Sequence, residues 1–223
     1  MSPPSTRTAG LARGVMVAVV AIALLGSCGD GGRDRARPGG LSGAVRTPPL
    51  EVGAVSLPDE SPGANGAAFT MTAAPGGLLV VYFGFTSCPD ICPTTLSDTG
   101  RALQELDAAD RDRVAVAMVT FDPERDTGEV LTSYLETFVA GGGHALRTID
   151  PALQQAAQDA FNVVVRRISE GSTYTFDHTA VSYVVDDRGT VVVEWPFGTS
   201  PDAMRRDLEI LLRRIDRAEG ATR

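Results

Sequence analysis

The sequence contains no lysine, and all 20 of its basic residues are arginine. Acidic residues outnumber them at 28, which leaves a formal charge of −8. We therefore expect no nucleic-acid partner, because phosphate-binding surfaces need an excess of positive charge. The five methionines are scattered along the chain, which excludes a methionine-rich metal-binding segment. The 223 residues, 43% of them hydrophobic, suit one globular domain with an extension.

Long hydrophobic runs are also absent. The apolar run at residues 14–25 is shorter than the about 20 residues that a transmembrane helix needs. It ends at Leu25-Gly26-Ser27-Cys28, which resembles a bacterial lipobox. We expect a lipoprotein signal peptide over residues 1–27 and lipidation of Cys28, which would anchor the protein on the extracytoplasmic face of the bacterial cell membrane. The alternatives are an ordinary signal peptide and a short anchor with an incidental cysteine.

Cysteine is scarce, with three residues in the chain. If Cys28 is lipidated, the mature protein keeps Cys88 and Cys92 as its thiols, and the two must be interpreted together. Residues 28–49 are rich in glycine, proline and arginine, which indicates a flexible tether. We expect one folded domain over residues 50–218 and a short tail at residues 219–223.

Hydrophobic periodicity predicts an edge hairpin followed by alternating strands and helices. The predicted strands are 50–57, 67–72, 78–85, 113–121, 163–168, 180–185 and 190–195, and the predicted helices are 94–108, 127–139, 151–161 and 201–218. The strand–helix–strand unit at residues 78–121 implies parallel strands with a right-handed crossover. The whole order matches a thioredoxin-like α/β fold, in which a central mixed sheet is flanked by helices.

Cys88 and Cys92 lie between a predicted strand and the first long predicted helix, where thioredoxin folds carry their reactive thiols. A helix N-terminus lowers a thiol pKa, because it stabilises the thiolate that attacks disulfides or binds metal. Three residues separate these cysteines, whereas thioredoxin oxidoreductases have two. At positions i and i+4 both sulfurs can share one helical face. Two soft thiolates suit copper(I), zinc or an iron–sulfur cluster, and a metal site here needs a third ligand.

The two histidines of the sequence are His144 and His178. His144 follows three glycines, and we expect it to be an exposed loop residue. His178 precedes a predicted strand, and the loop that enters this strand faces the cysteine loop in a thioredoxin-like sheet. It is therefore either a third ligand or an ordinary core or solvated histidine. We expect Trp195 to pack in the core.

Three segments resemble the Sco/SenC family of copper-binding proteins. They are TSCPDICPTTL at residues 86–96, FDPERDT at residues 121–127 and DHTAVSYVVDDRG at residues 177–189. Their order and separations are similar to those of the family, and the resemblance covers about residues 65–217. The chain departs from the family at residues 67–77, which lack the charged hairpin usual there, and in having a lipobox in place of a longer membrane helix.

The resemblance implies a thioredoxin-like fold and one copper ion, Cu(I) or Cu(II), bound by Cys88, Cys92 and His178. It also implies a metallochaperone that assists assembly of the copper A site in cytochrome c oxidase, with subunit II as its partner. The alternative is a thiol-disulfide oxidoreductase, in which Cys88 and Cys92 are a redox-active pair that keeps the oxidase cysteines reduced. Peroxide reduction is less favoured, because the loop has no separate peroxidatic site.

Four aspartates lie within or beside these motifs. Asp122 and Asp126 are either caps of the helix predicted to begin near residue 127 or parts of a partner surface. Asp90, between the cysteines, and Asp177, beside the histidine, are either turn residues or groups that orient the ligands from behind.

Overall fold

Seven strands form a central sheet in the structure, a computed structural model that describes residues 40–221. The sheet has the order β2-β1-β5-β4-β3-β8-β9, and β6 and β7 form a separate two-stranded sheet. The strands are β1 (Ser56–Asp59), β2 (Ala67–Thr70), β3 (Leu78–Gly84), β4 (Val114–Thr120), β5 (His144–Leu146), β6 (Val165–Glu170), β7 (Thr173–His178), β8 (Val181–Val185) and β9 (Val191–Pro196).

The sheet is mixed. Strands β3, β4 and β5 are parallel, with Leu79 opposite Ala115. Strand β8 lies antiparallel to β3, with Val81 opposite Tyr183, and β9 continues antiparallel beside it. All seven residues of β3 are buried, as expected for a central strand covered on both faces.

Five helices accompany the sheet in the described part of the chain. They are α1 (Ile91–Gln104), α2 (Ala108–Arg111), α3 (Gly128–Phe138), α4 (Pro151–Ala160) and α5 (Pro201–Ala221). Leu78 and Val80 of β3 share a hydrophobic cluster with α1 and α5. Phe83, which alternation directs to the other face, packs against Phe161 after α4 at 5.1 Å between ring centroids. Helices therefore cover both faces, and the predicted α/β fold with a flanked mixed sheet is confirmed.

Two predicted hairpins are present, and one was missed. β1 and β2 pair at the sheet edge, with Leu57 opposite Phe69, and β8 pairs with β9, with Val184 opposite Val193. Strand β7 was not predicted, because its side chains are exposed or half-buried and give no apolar run. Helix α1 begins at Ile91, three residues before the predicted start.

The segment just before the predicted domain boundary packs on the domain. Leu41 is buried, and the buried carboxylate of Asp207 accepts hydrogen bonds from the backbone N–H groups of Ser42 and Gly43 at 2.7 and 2.9 Å. The same carboxylate accepts a bond from Nε1 of Trp195, which is buried as predicted. Residues from Leu41 onward therefore pack on the domain, although the prediction placed residues 28–49 in the tether.

The predicted signal peptide, residues 1–27, and Cys28 lie outside the described residues. Helix α5 continues to Ala221, past the predicted start of the tail. Among the described residues, none of the helices is both long and apolar enough to cross a bilayer.

Candidate metal centre

Cys88 lies in the turn between the buried strand β3 and helix α1, and Cys92 lies in the first turn of that helix. Asp90 holds the N-cap position of this helix, yet its side chain makes no capping hydrogen bond. The backbone N–H of Cys92 instead donates to the sulfur of Cys88 at 3.4 Å. A sulfur that caps a helix N-terminus is stabilised as an anion, because the unpaired N–H groups there carry partial positive charge.

His178 meets the cysteines from the end of β7. Its Nε2 lies 3.9 Å from the sulfur of Cys92, and the ligand atoms of Cys88, Cys92 and His178 all lie within 4.8 Å of one another. Cys92 is fully buried, whereas Cys88 and His178 are half-buried. The cluster is therefore anchored in the core and reachable from the surface.

The backbone fixes which nitrogen of His178 is available. Nδ1 lies 3.0 Å from the carbonyl oxygen of Thr179. Since a carbonyl only accepts, Nδ1 carries a proton and donates, which leaves Nε2 as the ring nitrogen that faces the cysteines. The ring of Phe121 packs on the imidazole at 4.9 Å between centroids, and it restricts water on that side.

The two thiols differ in their affinity for a proton. The pKa of Cys88 is lowered to about 4, chiefly because the Cys92 thiol donates a hydrogen bond to its sulfur, which outweighs the effect of burial. The pKa of Cys92 is raised, because it is the donor of that bond and because it is buried. At neutral pH the pair holds one thiolate, at Cys88, and one thiol, at Cys92.

Asp126 supports the cysteine loop from beneath. Its carboxylate is fully buried and accepts hydrogen bonds from the backbone N–H of Thr86 at 3.0 Å and from the hydroxyl of Thr120 at 2.5 Å. The predicted capping role is wrong for this residue, since the cap of α3 is Thr127, whose side chain accepts from the N–H of Val130. The hydroxyl of Thr86 is a third donor to this carboxylate. Asp126 therefore joins the ends of β3 and β4.

Asp122 holds the β6–β7 hairpin, so the capping role is wrong for it as well. Its carboxylate accepts a hydrogen bond from the Tyr174 hydroxyl at 2.8 Å and forms an ion pair with Arg125. The Tyr174 ring lies between two guanidinium groups, with Arg125 at 3.9 Å and Arg167 at 3.5 Å from its centroid. These contacts secure the hairpin that carries His178.

The other two aspartates make different contacts. Asp90 is exposed and contributes its backbone N–H, which donates to the Cys88 sulfur. The side chain of Asp177 forms an exposed ion pair with Arg166 at 2.8 Å. Of the two interpretations of Asp90, turn residue or group that orients the ligands, the structure supports the turn residue.

His144 is not the exposed loop residue that we expected. It begins β5, is half-buried, and stacks on Phe69 at 4.0 Å between ring centroids. Its Nδ1 lies 2.7 Å from the carboxylate of Asp59. Burial raises the pKa of Asp59, but the hydrogen bonds from His144 and Ser61 outweigh burial and leave it lowered. The glycines before His144 suggested an exposed loop. The contact with the buried carboxylate of Asp59 and the pairing with β4 hold this histidine in a strand instead.

The family model described as SCO1/SenC matches residues 60–213, a stretch that contains both cysteines and His178. The chain belongs to the SCO1/SenC family. The predicted family is thereby confirmed, and its motifs at residues 86–96, 121–127 and 177–189 supply the cysteine loop, the carboxylates beneath it and the histidine.

Relatives of this SCO1/SenC chain span bacteria of several kinds. A SCO2-like protein of Rickettsia prowazekii is 34% identical over 134 residues, which are 56% of this chain and 61% of that protein. The chain therefore spans less than two thirds of that relative. Among solved structures, apo Sco1 of Thermus thermophilus is 28% identical with a TM-score of 0.60, covering 80% of this chain and 96% of the other. Copper-bound ScoI of Bradyrhizobium japonicum is 30% identical with a TM-score of 0.58, covering 75% and 97%. The thioredoxin-like fold is confirmed.

The donor set of this SCO1/SenC domain fits a soft metal ion. Within residues 40–221, one group of metal-ligating side chains lies close enough together to hold a single ion. It consists of Cys88, Cys92 and His178. Two sulfurs and one imidazole suit copper and zinc better than calcium or magnesium, which prefer oxygen. The structure thus brings together all three residues that the sequence singled out, and leaves His144 elsewhere.

Sequence reasoning missed two residues that shape the site. Thr86 was quoted within the cysteine motif, but its bond to Asp126 joins positions 40 residues apart and leaves no local signal. Tyr174 lies in a strand without an apolar pattern, and its contacts come from two other segments.

Proposed function

We propose that this protein is a copper metallochaperone that binds one copper ion through Cys88, Cys92 and His178. The observation that carries the proposal is the convergence of two sulfurs and one imidazole nitrogen within 4.8 Å. Copper is the cargo of this protein, and it is held by ligands that soft metal ions prefer. The copper-bound relative from Bradyrhizobium japonicum, 30% identical to this chain, supports the assignment.

The residues prepare the site before the metal arrives. Cys88 already carries a negative charge, and the bond from Nδ1 of His178 to the Thr179 carbonyl turns Nε2 toward the two sulfurs. Cys92 gives up its proton to water when copper binds, since metal ligands must be deprotonated. Half-exposure of Cys88 and His178 leaves two of the three ligands open to an incoming thiolate, which allows transfer by ligand exchange.

The acceptor that we propose is the copper A site of cytochrome c oxidase subunit II, on the extracytoplasmic face of a bacterial cell membrane. Family membership supports an acceptor in oxidase assembly. The lipobox-like sequence that ends at Cys28 supports a lipid anchor, which would hold the domain at the membrane that contains the oxidase.

Copper binding under anaerobic conditions tests the ligand set. The mature chain should bind one Cu(I), and His178→Ala or Cys92→Ser should weaken binding by more than about tenfold, since even residues behind metal ligands contribute that much. His144→Ala is the matched control, because this second histidine pairs with Asp59 outside the cluster. Equal Cu(I) affinity in His178→Ala and the wild type would refute the proposed ligands.

The division of the thiols into one thiolate and one thiol favours a second candidate, a disulfide reductase. In that reaction the Cys88 thiolate attacks a disulfide of the oxidase subunit, and Cys92 then displaces the bound sulfur after losing its proton. This chain ends as a Cys88–Cys92 disulfide, and the substrate ends as a dithiol. Two assays separate the candidates. In a metal-free disulfide-reduction assay, a reductase retains activity in His178→Ala and loses it in Cys88→Ser. In a copper-transfer assay, a metallochaperone passes copper to an apo copper A fragment.

A further inference from the structure

Tyr82 is a polar residue in the middle of the fully buried strand β3. It is 1% exposed, and its hydroxyl is buried with no hydrogen-bond partner among the described residues. Buried hydroxyl groups are nearly always hydrogen-bonded in folded proteins. A phenylalanine would fill the same space without an unpaired donor, so the hydroxyl needs an explanation.

The phenol ring lies against the sulfur of Cys92. At Gly84, the point that a Cβ would occupy is 2.8 Å from Cε1 of Tyr82 and 3.0 Å from Sγ of Cys92, so the ring and the sulfur meet over this glycine. Cys92 and Thr95 are the polar groups beside the hydroxyl. The hydroxyl of Thr95 already donates to the carbonyl oxygen of Ile91 at 2.8 Å.

The sulfur of Cys92 becomes a better acceptor when it binds metal. A thiol sulfur accepts hydrogen bonds weakly, whereas a sulfur that carries negative charge accepts them strongly. Copper binding replaces the thiol proton with the metal, and that proton passes to water. We propose that Tyr82 is a positioning residue, whose hydroxyl donates a hydrogen bond to the copper-bound sulfur of Cys92. The inference rests on the proposed function, since it concerns the same ligand.

The hydroxyl then has different effects in the two states of the protein. Without copper it is buried beside the Cys92 thiol, which is a weak acceptor, and this is unfavourable. With copper it faces a charged sulfur, so it favours the loaded state. The bond also restrains the orientation of the Cys92 sulfur, as hydrogen bonds from behind metal ligands commonly do. The hydroxyl of Tyr82 therefore contributes to copper retention, whereas the ring alone supports the metal-free core.

Tyr82→Phe tests the proposal with two measurements, because the stability of the metal-free protein and its Cu(I) affinity should change in opposite directions. Thermal unfolding of the metal-free mature chain should show Tyr82→Phe to be as stable as the wild type or more stable. Cu(I) affinity, measured by competition with a chelator, should fall about tenfold, the loss expected for one hydrogen bond to a charged acceptor. In the Cu(II) form, the sulfur-to-copper charge-transfer band should move to lower energy, because a hydrogen bond stabilises the sulfur electrons.

Tyr183→Phe is the matched control. Tyr183 is buried on β8 and packs on Phe161 at 5.0 Å between ring centroids, and the charged groups that influence its hydroxyl are Glu194 and Arg46. This variant should keep the wild-type copper affinity and band. Wild-type values in Tyr82→Phe would overturn the inference alone, whereas a wild-type chain that binds no copper would overturn the proposed function and the inference with it.

Discussion

At the scale of single residues, the two cysteines differ in protonation: Cys92 keeps its proton and Cys88 is a thiolate. Cys88 caps a helix through its sulfur and receives a hydrogen bond from Cys92, and both contacts stabilise the thiolate. Cys92 donates that bond and lies in the core, and both effects raise its pKa. The more exposed sulfur, that of Cys88, is therefore the reactive one, and the buried sulfur of Cys92 remains a thiol.

The alkylation rate of Cys88 should show this division. Because the pKa of Cys88 is lowered to about 4, the thiolate is fully formed above that pH. The rate of carbamidomethylation at Cys88 should then be nearly flat from about pH 6 to about pH 8 and fall as the pH drops through about 4. In Cys92→Ala the donated bond is lost and the pKa rises, so the rate should increase with pH across the same range. A steep increase in the wild type would contradict this account.

Asp126 stabilises the fold by accepting hydrogen bonds from Thr86 and Thr120. Asp126→Asn removes the charge and places an N–H₂ group opposite other donors, so the free energy of unfolding should fall by about 2 kcal/mol. Urea unfolding of the metal-free protein measures the change. Asp112→Asn provides the comparison at an exposed position and should stay within about 0.5 kcal/mol of the wild type. Equal losses in both variants would exclude a special role for the Asp126 carboxylate.

At the scale of elements, the third ligand belongs to a different unit from the first two. Cys88 precedes α1 and Cys92 lies in its first turn, whereas His178 ends a two-stranded sheet that is separate from the central one. An isolated two-stranded hairpin is marginally stable in water. The contacts of Tyr174 with Asp122, Arg125 and Arg167 therefore determine how firmly the histidine is presented.

Loss of the Tyr174 contacts should loosen this hairpin selectively. In Tyr174→Ala, amide hydrogen exchange in β6 and β7 should accelerate by about tenfold or more, while exchange in β3 stays unchanged, because local opening does not require global unfolding. Cu(I) affinity should fall in parallel. Arg166→Ala removes an exposed ion pair of the same hairpin and should change exchange little. Uniform acceleration across the domain would show that Tyr174 acts on the whole fold instead.

Elements with local signals could be predicted from the sequence. The continuous apolar run of β3 located the central strand, and the cysteine loop after it was placed correctly for that reason. Strand β7 has no apolar run, and β5 pairs with β1 and β4, which are distant in the sequence, so local patterns do not report these strands. For the site, two thiols followed from position and spacing, whereas His178 came from the family resemblance. Asp126 could not be assigned, since its donors come from β4 and from a loop 40 residues away.

At the scale of the whole molecule, the segment at residues 40–49 is part of the domain. Backbone groups of Ala44 and Glu194 exchange two hydrogen bonds of 2.8 Å, which extends the sheet beyond β9. Asp207 joins this segment to α5 and to Trp195 through three hydrogen bonds. The segment thus closes a sheet edge and satisfies a buried charge.

Removal of this segment should destabilise the domain. A chain that begins at residue 50 loses the burial of Leu41 and leaves Asp207 without two of its donors, which should lower the free energy of unfolding by about 3–5 kcal/mol relative to a chain that begins at residue 40. Urea unfolding of both chains measures the difference. Equal midpoints would mean that residues 40–49 lie on the surface without supporting it.

The Asp207 contacts also determine where a mechanical load enters the domain. Tension on the chain before residue 40 would reach Ser42 and Gly43 first, and their bonds to Asp207 would pass it into α5. The load would thereby leave the backbone before it arrives at β1. If a lipid anchor tethers the domain as we propose, the spacing of the three ligands would be independent of motion of the membrane.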